Sequence, residues 1–418
     1  MKHRSRAVRA MAAGLCAYVL FGCDQTRGEQ AGSSSGSIVD VPHTAVERQS
    51  IGNCWLYAEA SWIESMHLSA TGERFDTSQS YWTYWHWFDQ IVDGSASQVR
   101  TGGNEAIADR IVARRGLVRA ADFVSTDTNG EMSAQQKLAL DTVNAELSRG
   151  RLATRSARAN RTLVRRVLDE AWALTSPTRD WLDGAFGADA ARPLGNGANL
   201  AGTPVVSPGA FLVRYTERVT DSNRGTVKDT ALSSAMGEWS TVYYPSGSTD
   251  RRNFLIRVQR ALHDRQPVIL TWNVDFNALE SGDGPRRGAF DMTTLRASGR
   301  PGSQGGHMVV LEDYQASTQS FGVLAAGVTL DPNDAGDRAK LDAALLPSTQ
   351  IQFLRIKNSW GTARADRGTV PGFPGYHDLY MDYLNGPIAW CPDVDNPSAW
   401  NCRGSIVPLN YVVLPPGY

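Results

Sequence analysis

Three short segments of the 418-residue chain hold side chains that could share one reaction. They are Gln49-Ser50-Ile51-Gly52-Asn53-Cys54-Trp55, Gly305-Gly306-His307-Met308-Val309-Val310 and Lys357-Asn358-Ser359-Trp360-Gly361. A thiol is a strong nucleophile only as thiolate, and a helix N-terminus or a nearby imidazolium lowers its pKa. Gly52-Asn53 is a turn signal, so Cys54 falls at or near the start of the apolar helix expected after it. His307 opens a strand-like run behind two glycines, which let other backbone approach closely. An imidazole must be held in one orientation by a group bonded to its other nitrogen. The Asn358 carboxamide can do this without adding charge, and Trp360 can shield the bond from water. The Gln49 amide can donate to a developing oxyanion beside the Cys54 backbone N–H. Alone, an Asn-Ser-Trp-Gly segment is usually a turn, and a His before a strand is usually a core residue. The three segments together, in the order Cys, His, Asn, point to nucleophilic catalysis. His43, His67, His86, His263 and His377 lack such settings and read as structural or surface residues.

These groups need elements to position them. Cys54 to about Leu68 has the spacing of a mostly buried helix. The aromatic-rich stretch from Asp76 to Asp93 predicts a second core helix, and Gly102-Gly103 opens a third that runs to about Arg115. Residues 133–185 read as helices rich in Ala, Leu and Arg. Arg151, Arg155, Arg158 and Arg165 share one face there, expected to be solvated. Residues 187–209 read as a loop. Beyond it come short β-prone runs at Ala210–Tyr215, Thr241–Tyr244, Val268–Val274, Met308–Leu311 and Ile351–Ile356, with a helix at Phe254–His263. A helical front and a strand-rich back predict an α+β fold.

Composition narrows the classes. Hydrophobic residues are 42% and charged residues 20%, which excludes a disordered chain. With 42 basic and 43 acidic residues, the chain is not expected to bind nucleic acid. Lys2, Arg4, Arg6 and Arg9 precede an apolar run, Ala10 to Gly22, that ends at Cys23. That is the pattern of a bacterial secretory signal, too short for a comfortable membrane span. Leu20-Phe21-Gly22-Cys23 resembles the lipobox of bacterial lipoproteins, which implies lipidation at Cys23, a membrane anchor and a cell-envelope location. Residues 24–37 read as a flexible tether. Cys391 and Cys402 sit close together in a Pro/Asp/Asn-rich loop, where a disulfide is expected in an oxidising compartment.

The three segments resemble the papain superfamily of cysteine peptidases, and further likeness extends to its bleomycin hydrolase and aminopeptidase C branch. Gly-Asn-Cys-Trp-Leu-Tyr-Ala around Cys54, Ser78–Tyr81 with Trp85–Asp89, Thr101–Asn104 through Val118, Thr203-Pro204 with Pro208–Phe211, and Gln266-Pro267-Val268 all match in part. The resemblance implies a papain-like fold: a helical left subdomain over 41–209 with a helical insertion at about 125–200, and a β-rich right subdomain over 210–418. Residues 1–22 would be signal and 23–40 tether. It implies peptide-bond hydrolysis by Cys54, His307 and Asn358, with Gln49 at the oxyanion. Gly102, Gly103, Trp55 and Trp360 would contact a peptide or protein substrate. No cofactor or metal is expected. The sequence departs from the family in three places. Gln49 lies five residues before Cys54 rather than the usual six. Residues 325–349 are extra; Asp331, Asn333, Gly336 and Asp342 partly mimic a calcium loop, but Ala335 occupies a ligand position. The C-terminus, which enters the active site in that branch, carries no signal for the same role. Two alternatives remain: acyl transfer or amidase work by the same three residues, disfavoured because such enzymes usually carry Asp third, and a non-enzymatic peptide-binding module.

Overall fold

The computed structural model describes residues 41–418 except 96, 130, 196, 219–224, 365, 392–401 and 403. The expected signal, Cys23 and the tether lie outside the described residues.

Helices α1 (Cys54–Thr71), α2 (Gln79–Val92), α3 (Glu105–Arg115), α4 (Ala120–Phe123), α5 (Gln135–Arg149), α6 (Arg155–Ala159), α7 (Arg161–Ala171) and α8 (Ser176–Phe186) come first. Apolar residues face every side of α1, as befits a helix enclosed by neighbours. It stops at Gly72, whose left-handed conformation (φ 72°) lets its N–H bond Leu68. The Ser78 hydroxyl caps α2 by accepting from Tyr81, and α2 buries Tyr81, Trp82, Tyr84, Trp85, Trp87 and Phe88. The third helix begins later than the glycines suggest. Its cap is Asn104, which accepts from the Ile107 N–H, and Gly102 and Gly103 stay in the exposed approach. The arginine face is not uniformly solvated. Arg165 is only 2% exposed and meets the Tyr84 hydroxyl at 2.6 Å and Asp183 at 3.1 Å, because carboxylates on α7 and α8 pair it inside.

The rest of the chain forms β1 (Leu212–Glu217), β2 (Thr226–Ala231), α9 (Leu232–Glu238), β3 (Ser240–Tyr243), α10 (Ser248–His263), β4 (Val268–Asp275), β5 (Ala289–Phe290), α11 (Met292–Ser298), β6 (Gln304–Thr318), β7 (Gly322–Leu324), α12 (Ala335–Ala344), β8 (Gln350–Lys357), β9 (Tyr376–Tyr380), α13 (Met381–Asn385), β10 (Ile388–Ala389), β11 (Ser405–Ile406) and β12 (Leu409–Leu414). The main sheet runs β3-β12-β4-β6-β8-β9-β5, with β7 beside β6. Its pairings are antiparallel except β5 with β9. The fold is therefore α+β.

Side chains alternate across a strand, so each strand serves two cores. Ile269, Met308, Val310 and Val413 join the helical core with α1 and α2. Val268, Leu270, Trp272, Val309 and Leu311 face a second core, closed by α10 through Phe254, Leu255, Val258 and Leu262. The turn to strand-forming sequence at 210 is not a change of core. Phe211, Val213 and Tyr215 of the β1 region and Leu232, Ala235 and Trp239 around α9 pack with the helices. Cys391 and Cys402 form a disulfide. The extra segment forms α12. Asp334 caps it, Asp331 accepts from both nitrogens of Asn333, and Asp337 accepts from Lys340. These carboxylates serve turn and cap. Among the described residues, no group of three or more His, Cys, Asp or Glu side chains could hold a metal ion. The C-terminal Tyr418 bonds Asp264 and Arg257 at the end of α10, and none of these residues lines the site described below.

Candidate active site

The α1 helix presents Cys54 as its first residue. The preceding Asn53 is buried and anchored, its amide donating to Thr83 at 3.0 Å and to Gln136 at 3.1 Å. The turn is therefore tied to α2 and α5, and the cysteine is half-buried at its tip. Burial pushes the Cys54 thiol up. The backbone N–H groups of Met308, Trp55 and Cys54 itself oppose this by favouring the thiolate. Met308, the residue that follows His307, influences the thiol because α1 packs along β6.

His307 lies on β6 opposite Trp272 of β4 and is 6% exposed. Its Nε2 meets Asn358 Oδ1 at 2.8 Å. Trp360 stacks on the ring, centroids 4.8 Å apart at 23°, and shields that bond from solvent. Burial draws the His307 pKa down to about 4, with the Asn358 bond raising it and the Arg367 charge lowering it. Among the described residues its Nδ1 makes no hydrogen bond, and none joins the imidazole directly to Cys54. Desolvation disfavours each ion taken singly, so the resting pair is thiol and neutral imidazole. A neutral imidazole in this place could accept a proton at its free nitrogen.

Asn358 directly follows β8 and is 2% exposed. Gln49 is held between the halves. Its N–H donates to the Ser359 carbonyl at 2.9 Å, and its Oε1 accepts from the Ser359 hydroxyl at 2.7 Å. One Nε2 hydrogen goes to the Ile51 carbonyl at 2.8 Å, which leaves the second.

The four residues expected to contact substrate divide in two. Gly102 is exposed, and a Cβ there would meet nothing within 4 Å. A Cβ on Gly103 would come within 2.5 Å of the Trp55 indole, so the backbone lies directly on that ring. Trp55 is 1% exposed, and its Nε1 donates to the Thr101 carbonyl at 2.9 Å. Trp55 and the 4%-exposed Trp360 thus support the walls from within, because both rings are spent on packing.

Sequence reasoning passed over His377, which lies 3.3 Å from Asn358 Nδ2. It also passed over the tie between the halves made by Lys357, whose Nζ meets Thr44 and Ser61 at 3.1 Å beside Glu64. For His377 the only available signal was strand pairing: β9 places it opposite Ile356, two residues before Asn358.

No protein-family model and no curated protein matches the sequence. Among solved structures the chain is similar to xylellain, a cysteine protease from Xylella fastidiosa. The identity is 13% and the TM-score 0.36, over 91% of this chain and 85% of that one.

Proposed function

We propose that the protein is a cysteine hydrolase that cleaves peptide bonds, with Cys54 as nucleophile, His307 as acid and base, and Asn358 as the group that orients His307. The observation that carries this reading is the buried 2.8 Å bond from His307 to Asn358 beneath Trp360, on the strand along which α1, beginning at Cys54, is packed. The thiol proton passes to His307 Nδ1 and the thiolate attacks the carbonyl carbon. The negative oxygen is stabilised by the Cys54 N–H and the second Gln49 Nε2 hydrogen. His307 then protonates the leaving amine, and water, deprotonated by His307, releases the acyl group. The exposed backbone at Gly102 and Gly103 is a surface along which an extended peptide could lie.

The test is cleavage of a broad peptide library by purified protein under reducing conditions. Cleavage lost in Cys54→Ala is expected; no cleavage of any peptide would overturn the reading. We also propose, from residues 1–23 alone, that the protein is exported and lipidated at Cys23. Incorporation of labelled palmitate that is lost in Cys23→Ser is the expected result.

A further inference from the structure

Asn358 is bonded on both edges of its carboxamide. Its Oδ1 accepts the Ser359 backbone N–H at 2.8 Å and faces His307 Nε2 at 2.8 Å. A backbone N–H only donates, so the atom it meets is the carbonyl oxygen and the carboxamide has one orientation. It follows that His307 carries its hydrogen on Nε2 and presents a lone pair at Nδ1. The other edge, Asn358 Nδ2, is a donor and faces His377 Nδ1 at 3.3 Å. That nitrogen must accept, so the His377 hydrogen sits on Nε2.

His377 is fully buried, edge-on to Trp360 at 5.2 Å and tilted against Phe290 at 6.0 Å. Its Nε2 is buried and makes no well-formed hydrogen bond among the described residues, the Gly368 backbone being its nearest polar neighbour. An unmet buried N–H is costly. An aromatic hydrocarbon ring in the same place would avoid that cost. The polar bond the imidazole makes in exchange is the one from Nδ1 to Asn358. Burial, with His307 and Arg367 facing it, holds the His377 pKa at about 3, so the ring stays neutral and keeps its Nδ1 lone pair.

We propose that His377 is a positioning residue for the hydrolase: by accepting from Asn358 Nδ2 it locks the carboxamide oxygen toward His307 and so fixes the His307 tautomer that receives the thiol proton. The proposal rests on the hydrolase reading. His377 acts through Asn358 and does not touch substrate.

The test is alkylation of Cys54 by iodoacetamide as a function of pH, read by mass spectrometry on the full chain. His377→Phe keeps a ring and removes Nδ1; His377→Asn returns an acceptor near the Nδ1 position. The Phe variant is expected to react about tenfold more slowly, the scale of one unsatisfied buried donor. Its acid limb should move to lower pH, because the Asn358 bond raises the proton affinity of His307. The Asn variant should recover most of both. A folded Phe variant with the wild-type profile, or an Asn variant no better than Phe, would overturn the proposal. Should the Phe variant not fold, a long-range proton–nitrogen correlation spectrum of the unmutated protein decides: both His307 and His377 are expected as Nε2–H tautomers, and Nδ1–H at His377 overturns it. An unmutated protein without any acid limb would strike the hydrolase reading itself, and this proposal with it.

Discussion

Cys54 and His307 are held in contrasting ways by the two sides of the molecule. On the helical side Cys54 is half-buried at the first residue of α1. On the sheet side the imidazole is enclosed by Trp360, Asn358 and, behind them, His377. The buried ionisable groups differ as well. The helical side encloses acids: burial raises Glu64 and Asp109 to about 7. Glu59 beside it is likewise held well above the usual carboxylate range, by burial first and then by the Asp109 charge. The sheet side encloses neutral histidines: burial lowers His263 and His377 to about 3 and His307 to about 4, while it also raises Asp378 there and lowers His86 on the helical side. On the proposed reading the nucleophile is the half-exposed member and its base the one fixed from several directions.

The largest effect should come from the nucleophile. Cys54→Ser should lower peptide cleavage by a factor on the order of a thousand or more, while the melting temperature stays near that of the parent. A retained rate would show that the two sides do not share one site. Next, Asn358→Ala removes the group that holds His307 and leaves Nε2 without its acceptor. Turnover should fall about 10- to 100-fold, with a smaller change in KM, as steady-state kinetics would reveal. Gly103→Ala drives a Cβ into the Trp55 indole. A destabilisation of about 1–3 kcal/mol in denaturant melts is the expected cost of such overpacking. The same substitution at Gly102, which faces open space, should change stability far less.

The smallest effect separates the two sides by pH. For Asp109 and Glu64 the folded-state pKa lies above the unfolded one. Their stabilising contribution is complete below the unfolded value near 4 and is lost as pH rises through about 7. For the three histidines the folded-state pKa lies below the unfolded one. Their contribution is complete above about 6.5 and is lost as pH falls through the range 4 to 3. Asp109→Asn should therefore gain about 1 kcal/mol over the parent at pH 8 and lose that advantage at pH 4. Equal differences at both pH values would mean the carboxyl pair does not carry a raised pKa.

Much of this arrangement was legible in the chain because local chemistry wrote it there. Gly52-Asn53 before an apolar run set the helix start at Cys54, and β-prone runs located β4, β6 and β8. Strand parity is a local signal too, and it divides Met308 and Val310 from Val309 and Leu311. What stayed hidden depends on pairing between distant segments. Nothing near His377 in sequence marks it, because its partner Asn358 reaches it only through the β8–β9 register. The burial of Arg165 likewise depends on Tyr84 and Asp183, which lie on other helices. The helical core likewise takes in hydrophobic side chains from 211 to 239, which find the helices nearer than the main sheet.

The union of sulfur and imidazole is tested most directly by the rate of Cys54 alkylation against pH, in the parent and in His307→Gln. In the parent, a neutral His307 receives the thiol proton, so reaction should persist well below the range of a free thiol and fade only as pH falls toward about 4. In the variant, burial outweighs the opposing backbone N–H groups and holds the thiol up, and reaction should begin only in alkaline solution. Superimposable profiles would contradict the account, since Cys54 would then be reacting without its histidine.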